Sequence, residues 1–153
     1  MFGFMKKKNI MLVPMSGEII DLENVCDPVF AQKMMGDGFA IEPTDGKVYA
    51  PFNGEIVSLF PHAYGIKADN GIEVLIHIGI DTVKLNGDGF DVKVEQGSKV
   101  KAGDLLVEVD LEKIKSQVPA ITTPVIFTNL NNYEFDYKKQ KAEALADDII
   151  EIK

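Results

Sequence analysis

Hydrophobic and polar residues alternate most regularly in the middle of the chain, from Gly71 to Val83. The aliphatic side chains there take every second position: Ile72, Val74, Ile76, Ile78 and Ile80. A period of two predicts a β-strand whose aliphatic face lies in the core. The opposite face carries the residues between them: Glu73, Leu75, His77, Gly79 and Asp81. We therefore expect His77 on the open face of the strand, where it is available for chemistry rather than packing.

A tight turn is predicted immediately before this strand, because Asp69-Asn70-Gly71 is typical of a β-hairpin. The second histidine of the chain, His62, lies upstream of that turn. A two-residue loop would place His62 directly opposite His77, with Cβ atoms about 5 Å apart, or diagonally at about 7–8 Å. A three-residue loop without a bulge would send His62 to the other face. Two of these three registers bring the imidazoles together, and the alternative is a pair of unrelated surface or core histidines.

Short strands and one short helix are predicted before the hairpin. Residues 8–20 are typical of one or two strands broken around a proline and a Ser-Gly pair. A helix is predicted to begin after Asp27, which is a good N-cap, with Pro28 at its first position and Gly36 just past its end. Two further Gly-containing turns, at 45–46 and 53–54, are of the hairpin type.

After the hairpin the pattern again indicates strands and turns. Strands are expected around Gly97 and Gly103, a short helix capped by Asp110, a strand over 122–129, and a C-terminal helix followed by a short strand at 149–152. Closely spaced short strands with few short helices predict an all-β fold, a compact antiparallel β-sandwich or barrel.

Composition narrows the class of protein. The chain has 153 residues, of which 46% are hydrophobic and 26% charged, which fits one domain with a substantial core. Its net charge of −8 argues against nucleic-acid binding and favours a basic partner. The single cysteine, Cys26, excludes an internal disulfide and fits a reducing cytoplasm.

The N-terminal residues are predicted to be a tail on a single domain that spans 1–153. In residues 1–9 the lysines follow a short apolar patch, which is not the order of a signal peptide. We expect a flexible tail, and a weakly membrane-touching tail is the alternative. No apolar run approaches the roughly 20 residues that a membrane span needs.

Two neighbouring imidazoles are compatible with three kinds of chemistry. A metal site needs three or four ligands, and no HExxH or CxxC spacing supplies them. Hydrolysis by a serine or cysteine nucleophile lacks its motif as well. The third reading makes one histidine the nucleophile that accepts a phosphoryl group, while the other donates a hydrogen bond to the transferred oxygens. That chemistry needs no cofactor and no bound nucleotide.

Several segments carry a resemblance to a known family. They are PMSGEIIDLENV, DPVFAQKMMGDGFAIEP, DGKVYAPFNGEI, HAYGIKADNGIEVLIHIGIDTVKLNGDGF, GSKVKAGD and TPVIFTN, and they cover nearly all of residues 13–129. The chain resembles the glucose-type IIA domain of the bacterial phosphoenolpyruvate-dependent sugar phosphotransferase system. The IHIGIDTV and GDGFAI blocks are the most specific of these segments.

The resemblance implies a cytoplasmic phosphocarrier with a phosphohistidine intermediate. On this chain it makes His77 the acceptor of a phosphoryl group from phospho-HPr, and His62 the residue that stabilises the group before it passes to a IIB or IICB permease component. Contact with the membrane would come only through that permease. The docking face of the family maps onto these residues: Asp27, Val29, Phe30, Met34, Met35, Phe60, Leu75, Asp81 and Val83.

One departure from the family lies directly before His62. The family usually has F-x-T-x-H-A, whose threonine hydrogen-bonds the supporting histidine, whereas this chain reads Phe60-Pro61-His62-Ala63. The tautomer of His62 is therefore open, and we expect another group or water to orient its ring. A regulatory or interaction module that does not deliver phosphate to sugar is the main alternative. A zinc hydrolase on a related sandwich is a third, and weak adventitious zinc at His62 and His77 is compatible with a carrier.

Overall fold

The structure, a computed structural model, describes residues 9–153. The strands in chain order are β1 (Asn9–Met11), β2 (Gly17–Asp21), β3 (Asp37–Pro43), β4 (Lys47–Tyr49), β5 (Gly54–Phe60), β6 (Ala63–Ala68), β7 (Glu73–His77), β8 (Phe90–Val92), β9 (Lys99–Val100), β10 (Leu105–Val109), β11 (Thr123–Asn129), β12 (Phe135–Tyr137), β13 (Lys141–Ala142) and β14 (Ile150–Ile152). The helices are α1 (Pro28–Ala31) and α2 (Leu111–Lys115), with 3₁₀ turns at Leu22–Asn24 and Thr82–Leu85.

The described strands form three antiparallel sheets. The largest has eight strands in the order β13-β2-β3-β11-β7-β6-β5-β9. The two smaller sheets have the orders β4-β10-β8 and β1-β14-β12. Residues from all three sheets, such as Ile66, Val107 and Ile150, share one buried cluster. The predicted all-β sandwich with a few short helices is therefore confirmed.

A second, smaller apolar cluster determines where the site lies. Side chains on one face of β3 and β11, Ala40 and Ile126, pack with Phe30 of α1 and with Ile80. The first 3₁₀ turn contributes Leu22 to the same cluster. The cluster therefore seats α1 and the first 3₁₀ turn on the eight-stranded sheet, beside the end of β7.

The predicted burial of the alternating aliphatic residues in the central segment is confirmed. All five aliphatic residues from Ile72 to Ile80 are buried. Ile78 belongs to the main core, whereas Ile80 belongs to the second cluster. The strand itself ends at His77, so the period of two does not continue through residues 78–82.

Both short helices begin where their caps predict. The Asp27 carboxylate accepts a hydrogen bond from the Val29 amide at 2.9 Å, and Pro28 is the first residue of α1. Asp110 accepts from the Lys113 amide at 3.1 Å and caps α2. The first helix is shorter than expected, because it ends at Ala31 and the chain continues in turns.

Two of the predicted hairpins are wrong. The turns at 45–46 and 53–54 lead into and out of β4, which lies in a different sheet from β3 and β5. These turns therefore carry the chain between layers instead of joining paired strands. Gly46 is needed because its Cα lies against the Val109 backbone, where a Cβ would collide with the carbonyl oxygen.

The predicted C-terminal helix is also wrong, although the predicted final strand is confirmed. The segment folds as β12, β13 and β14, with β14 between β1 and β12. Phe135 and Tyr137 stack their rings at 6.1 Å, and Ile150 is buried. Strand pairing and aromatic packing thus override the helix propensity of the charged residues between them.

The described part of the chain begins at residue 9. The predicted tail over 1–9 lies outside the described residues except for Asn9, which begins β1. Neither helix in the described part of the chain has the length and apolar character of a membrane span.

Candidate functional site

His77 is the last residue of β7, and it faces away from the main core. Its strand neighbour Ile76 is buried in the main core opposite Tyr64 of β6. His77 itself lies opposite Ala63, on the face that also carries Leu75. The prediction that His77 lies on the face opposite the core aliphatics is therefore confirmed, although the ring is half-buried.

The two histidines meet, although β6 and β7 adopt the one of the three registers that was expected to send His62 to the other face. Tyr64 pairs with Ile76, which corresponds to a three-residue loop between β6 and β7. His62 nevertheless reaches His77, because it does not belong to β6. It lies in the two-residue turn that joins β5 to β6, whose last pair is Phe60 with Ala63. The ring centroids of His62 and His77 are 5.1 Å apart, with planes at 77°.

One nitrogen of His77 is held by the backbone. Nδ1 lies 2.8 Å from the carbonyl oxygen of Gly79. A carbonyl only accepts hydrogen bonds, so a neutral His77 carries its hydrogen on Nδ1 and donates it. The lone pair is then on Nε2, and Nε2 is the nucleophilic atom of the ring.

The loop after His77 places that carbonyl. Gly79 has φ +74° and Asp81 has φ +58°, both in the left-handed region. The buried Thr82 hydroxyl donates to the Ile78 carbonyl at 2.6 Å, and the Ile80 amide donates to Ala120 at 2.9 Å. Two hydrogen bonds and the buried Ile80 side chain therefore hold the Gly79 carbonyl beside His77.

Burial keeps both imidazoles neutral near neutral pH. The pKa of His77 is lowered by burial, and the Gly79 carbonyl, Asp27 and Asp81 oppose this effect. The pKa of His62 is lowered by burial and by the neighbouring charge of a protonated His77. A neutral imidazole keeps a free lone pair, so His77 is in the form that a nucleophile requires.

Aromatic rings enclose the pair on two sides. The Phe30 ring lies 4.9 Å from the His77 ring, and the Phe60 ring lies 6.0 Å from the His62 ring. Phe30 is only 4% exposed, so the unbound protein presents little of this side chain to a partner, and its docking role stays a prediction. It packs in the second cluster because α1 turns this side chain towards the sheet, and it forms a wall behind His77.

The other predicted docking residues are accessible. The exposed apolar ones are Val29, Met34, Met35, Phe60 and Val83, and Leu75 is half-buried. They lie on α1 and its following turns, at the end of β5, on β7 and in the 3₁₀ turn after His77. Of the two acidic residues, Asp81 is exposed and Asp27 is partly exposed. The charges of both raise the pKa of His77.

Sequence reasoning missed the groups that hold the histidines in place. It treated Gly79 as one more residue of the open face, although a glycine inside the alternating segment was a sign that the strand is interrupted there. It gave no role to Thr82 or to Tyr64, whose hydroxyl donates to Pro61 at 3.1 Å. No pattern in the chain pointed to these hydroxyl contacts, because they depend on the turn geometry.

Among residues 9–153 no three His, Cys, Asp or Glu side chains are grouped closely enough to hold a metal ion. His62 and His77 thus supply two ligands where structural and catalytic zinc sites use at least three protein ligands.

Comparison with known proteins gives a consistent result. The family model "phosphoenolpyruvate-dependent sugar phosphotransferase system, EIIA 1" matches residues 9–133. A protein of Halalkalibacterium halodurans named PTS system glucose-specific EIIA component is 48% identical over 142 residues, which cover 92% of this chain and 82% of that protein. A protein of the same name from Staphylococcus epidermidis is 49% identical over 139 residues, 88% of this chain and 84% of the relative.

A solved structure agrees over almost the whole chain. The glucose permease IIA from Mycoplasma capricolum superposes with a TM-score of 0.88 at 43% sequence identity. The superposition covers 97% of this chain and 97% of that one.

Proposed function

This chain belongs to the EIIA 1 family of the phosphoenolpyruvate-dependent sugar phosphotransferase system, and we propose on that basis that His77 carries the phosphoryl group on Nε2. The protein is a phosphocarrier of that system. The observation that carries the proposal is the 2.8 Å contact between His77 Nδ1 and the Gly79 carbonyl. This contact leaves Nε2 as the atom with the free lone pair. The second imidazole, His62, lies nearby, with 5.1 Å between the two ring centroids.

The transfer itself is an exchange of one N–P bond for another. The Nε2 lone pair bonds to phosphorus while the N–P bond of a phosphohistidine donor breaks and its electron pair returns to the donor ring. Catalysis of such a step is mainly positioning and charge stabilisation. We assign His62 to the second task, because a neutral imidazole can donate its one N–H to a phosphoryl oxygen.

Phospho-HPr is the proposed donor. The net charge of −8 favours a partner with a basic surface, and so do the carboxylates of Asp27 and Asp81, whose charges raise the pKa of His77. When a partner docks, the exposed apolar docking residues can exclude water from the labile N–P bond on His77.

The proposed acceptor is a IIB or IICB permease component, on the cytoplasmic side of the membrane. The described residues would act as one IIA domain that receives and delivers the group. Two relatives are named for glucose, so glucose is the first sugar to test.

A regulatory module is the second candidate, and one observation favours it. The two-residue turn before β6 leaves no threonine to hydrogen-bond His62, so delivery is the step at risk. Such a module would accept phosphate on His77 and pass none to sugar.

Reconstitution with phosphoenolpyruvate, enzyme I and HPr tests the proposal. We expect wild type to take up acid-labile phosphate and to deliver it to a IIB partner. His77→Gln should take up none, because glutamine has no nucleophilic nitrogen. His62→Gln should still accept phosphate but deliver it poorly, because the amide replaces the ring poorly beside the phosphoryl group.

Each failure in this experiment has a distinct meaning. A wild type that accepts but does not deliver supports the regulatory module. A wild type that stays unlabelled with a competent HPr contradicts the carrier and favours a module that only binds partners. Labelling of His77→Gln contradicts the assignment of the acceptor.

A further inference from the structure

His62 lacks the kind of support that His77 has. Among the described residues its ring meets the rings of Phe60 and His77, and its pKa reflects burial and the His77 charge with no hydrogen bond. Ring contacts alone do not fix an imidazole in one direction. The orientation of His62 therefore depends on how its backbone is held.

Each of the two peptide groups that flank the His62 Cα has one hydrogen bond to its carbonyl. The Pro61 carbonyl accepts from the Tyr64 hydroxyl at 3.1 Å, and the His62 carbonyl accepts from the Ile78 amide at 2.7 Å. Because peptide groups are planar, holding both of them restricts φ and ψ of His62 and so the direction of its Cβ.

The second of these bonds ties the turn to the other histidine. Ile78 directly follows His77, so the His62 backbone is joined to the segment that bears the acceptor ring. The first bond is made by a side chain and can be removed without changing the backbone.

Tyr64 is an unusual residue for its place in the core. Its side chain is fully buried in the main cluster, where a phenylalanine would supply the same apolar packing. A buried hydroxyl is costly unless it is hydrogen-bonded, and the Pro61 carbonyl is its partner here. Burial also raises the pKa of Tyr64, so the hydroxyl stays protonated and remains a donor.

We propose that Tyr64 is a positioning residue for His62: its hydroxyl, through the Pro61 carbonyl, holds the two-residue turn so that the His62 ring meets a phosphoryl group on His77. The inference rests on the role of His62 proposed above. In this turn the hydroxyl takes over the task that a threonine side chain bonded directly to the ring would perform.

The opposite side of the turn is also filled. A Cβ on Gly87 would lie 3.2 Å from Pro61 Cγ, so the proline ring packs closely against that backbone. Pro61 is therefore held between the Tyr64 hydroxyl and Gly87, and the turn has little room to move as long as the hydroxyl is present.

Tyr64→Phe tests the proposal, with Tyr137→Phe as the matched control. The Tyr137 hydroxyl also makes one hydrogen bond, to Asp21 at 2.6 Å and only partly buried, but it does not contact the turn. We expect Tyr64→Phe to accept phosphate from phospho-HPr at the wild-type rate and to deliver it to IIB about fivefold more slowly, the factor that corresponds to one lost hydrogen bond. Tyr137→Phe should deliver at the wild-type rate even where its melting temperature falls equally.

NMR of the unphosphorylated protein separates this inference from the proposed function. With ¹⁵N-labelled histidine, Tyr64→Phe should shift and broaden the His62 ring resonances and leave those of His77 sharp. Unchanged His62 resonances together with wild-type delivery would overturn the role of Tyr64, whatever the protein carries. Failure of wild type to accept phosphate would instead overturn the proposed function.

Pro61→Gly provides a second route that leaves the core untouched. It removes the rigid ring from the turn, so we expect the same defect in delivery and the same change in the His62 resonances. If the hydroxyl acts through Pro61, the double variant should be little worse than either single variant. Defects that multiply in the double variant would contradict the proposed connection.

Discussion

The two histidines lie with their ring centroids 5.1 Å apart, yet the chain holds them by different means. The His77 ring is itself hydrogen-bonded, through Nδ1 to the Gly79 carbonyl. His62 is held through its backbone, by hydrogen bonds to the carbonyls of Pro61 and His62. The first arrangement selects one tautomer, whereas the second selects a position and leaves the tautomer free.

This difference fits the tasks proposed for the two rings. An acceptor has to present its lone pair at one atom, which a fixed tautomer ensures. A supporting ring has to donate a hydrogen bond in one direction and can take either tautomer before the phosphoryl group arrives. Changes at the Gly79 loop should therefore impair acceptance, and changes at the His62 turn should impair delivery.

Gly79→Ala should have the largest effect on phosphorylation of His77. A Cβ there would lie 2.6 Å from Thr82 Cγ2. The alanine would also have to adopt the left-handed φ of +74°. We expect unfolding to become easier by about 1–3 kcal/mol and phosphorylation by phospho-HPr to slow by about a hundredfold, because the carbonyl that orients His77 moves. Chemical denaturation and initial labelling rates measure the two effects.

Gly97→Ala is the control for backbone strain. Gly97 has φ +90°, but a Cβ there would have nothing within 4 Å. It should lose a similar amount of stability and phosphorylate at the wild-type rate. Equal labelling defects in the two variants would mean that instability, and not the carbonyl of Gly79, slows the transfer.

Thr82→Val should give a smaller effect at the same loop. Valine keeps the shape but removes the 2.6 Å hydrogen bond to the Ile78 carbonyl. We expect a loss of about 1–2 kcal/mol in unfolding free energy and phosphorylation slowed about threefold to tenfold. Thr82→Ser keeps the hydroxyl and should restore most of the rate, and a serine variant as slow as valine would argue against a role for the hydroxyl.

The effect of pH on stability should be the smallest. Burial lowers the pKa of both histidines below the ordinary value of about 6.5, so the unfolded chain binds their protons at higher pH than the folded chain. Their contribution to stability is present above about pH 6.5 and is lost as pH falls through the lower folded pKa values. The measurement compares the unfolding free energy of wild type with that of a His62→Gln/His77→Gln double variant from pH 4 to pH 8. The unfolding free energy of the variant should fall less steeply as the pH is lowered.

Much of the fold follows from local patterns that the sequence displays. The N-caps at Asp27 and Asp110 and the alternating aliphatic residues before His77 are short-range signals, and the structure places each where it was expected. The face of His77 could be predicted because β-strands have a strict period of two.

The errors lie where long-range contacts decide. Glycine turns at 45–46 and 53–54 have hairpin sequences, but β4 between them pairs with the distant β10 and not with β3 or β5. Phe30 is buried because a second cluster forms on the sheet, which no local period indicates. His62 meets His77 because it lies in the two-residue turn between β5 and β6. The sequence does not indicate the geometry of that turn.

The position of the N–P bond distinguishes Nε2 of His77 from the other three imidazole nitrogens of the pair. Wild type labelled with ¹⁵N-histidine is phosphorylated by phosphoenolpyruvate, enzyme I and HPr, and the coupling between ³¹P and ¹⁵N is measured by NMR. We expect coupling to Nε2 of His77, with the Nδ1 hydrogen retained. Coupling to Nδ1 of His77, or to either nitrogen of His62, would contradict it.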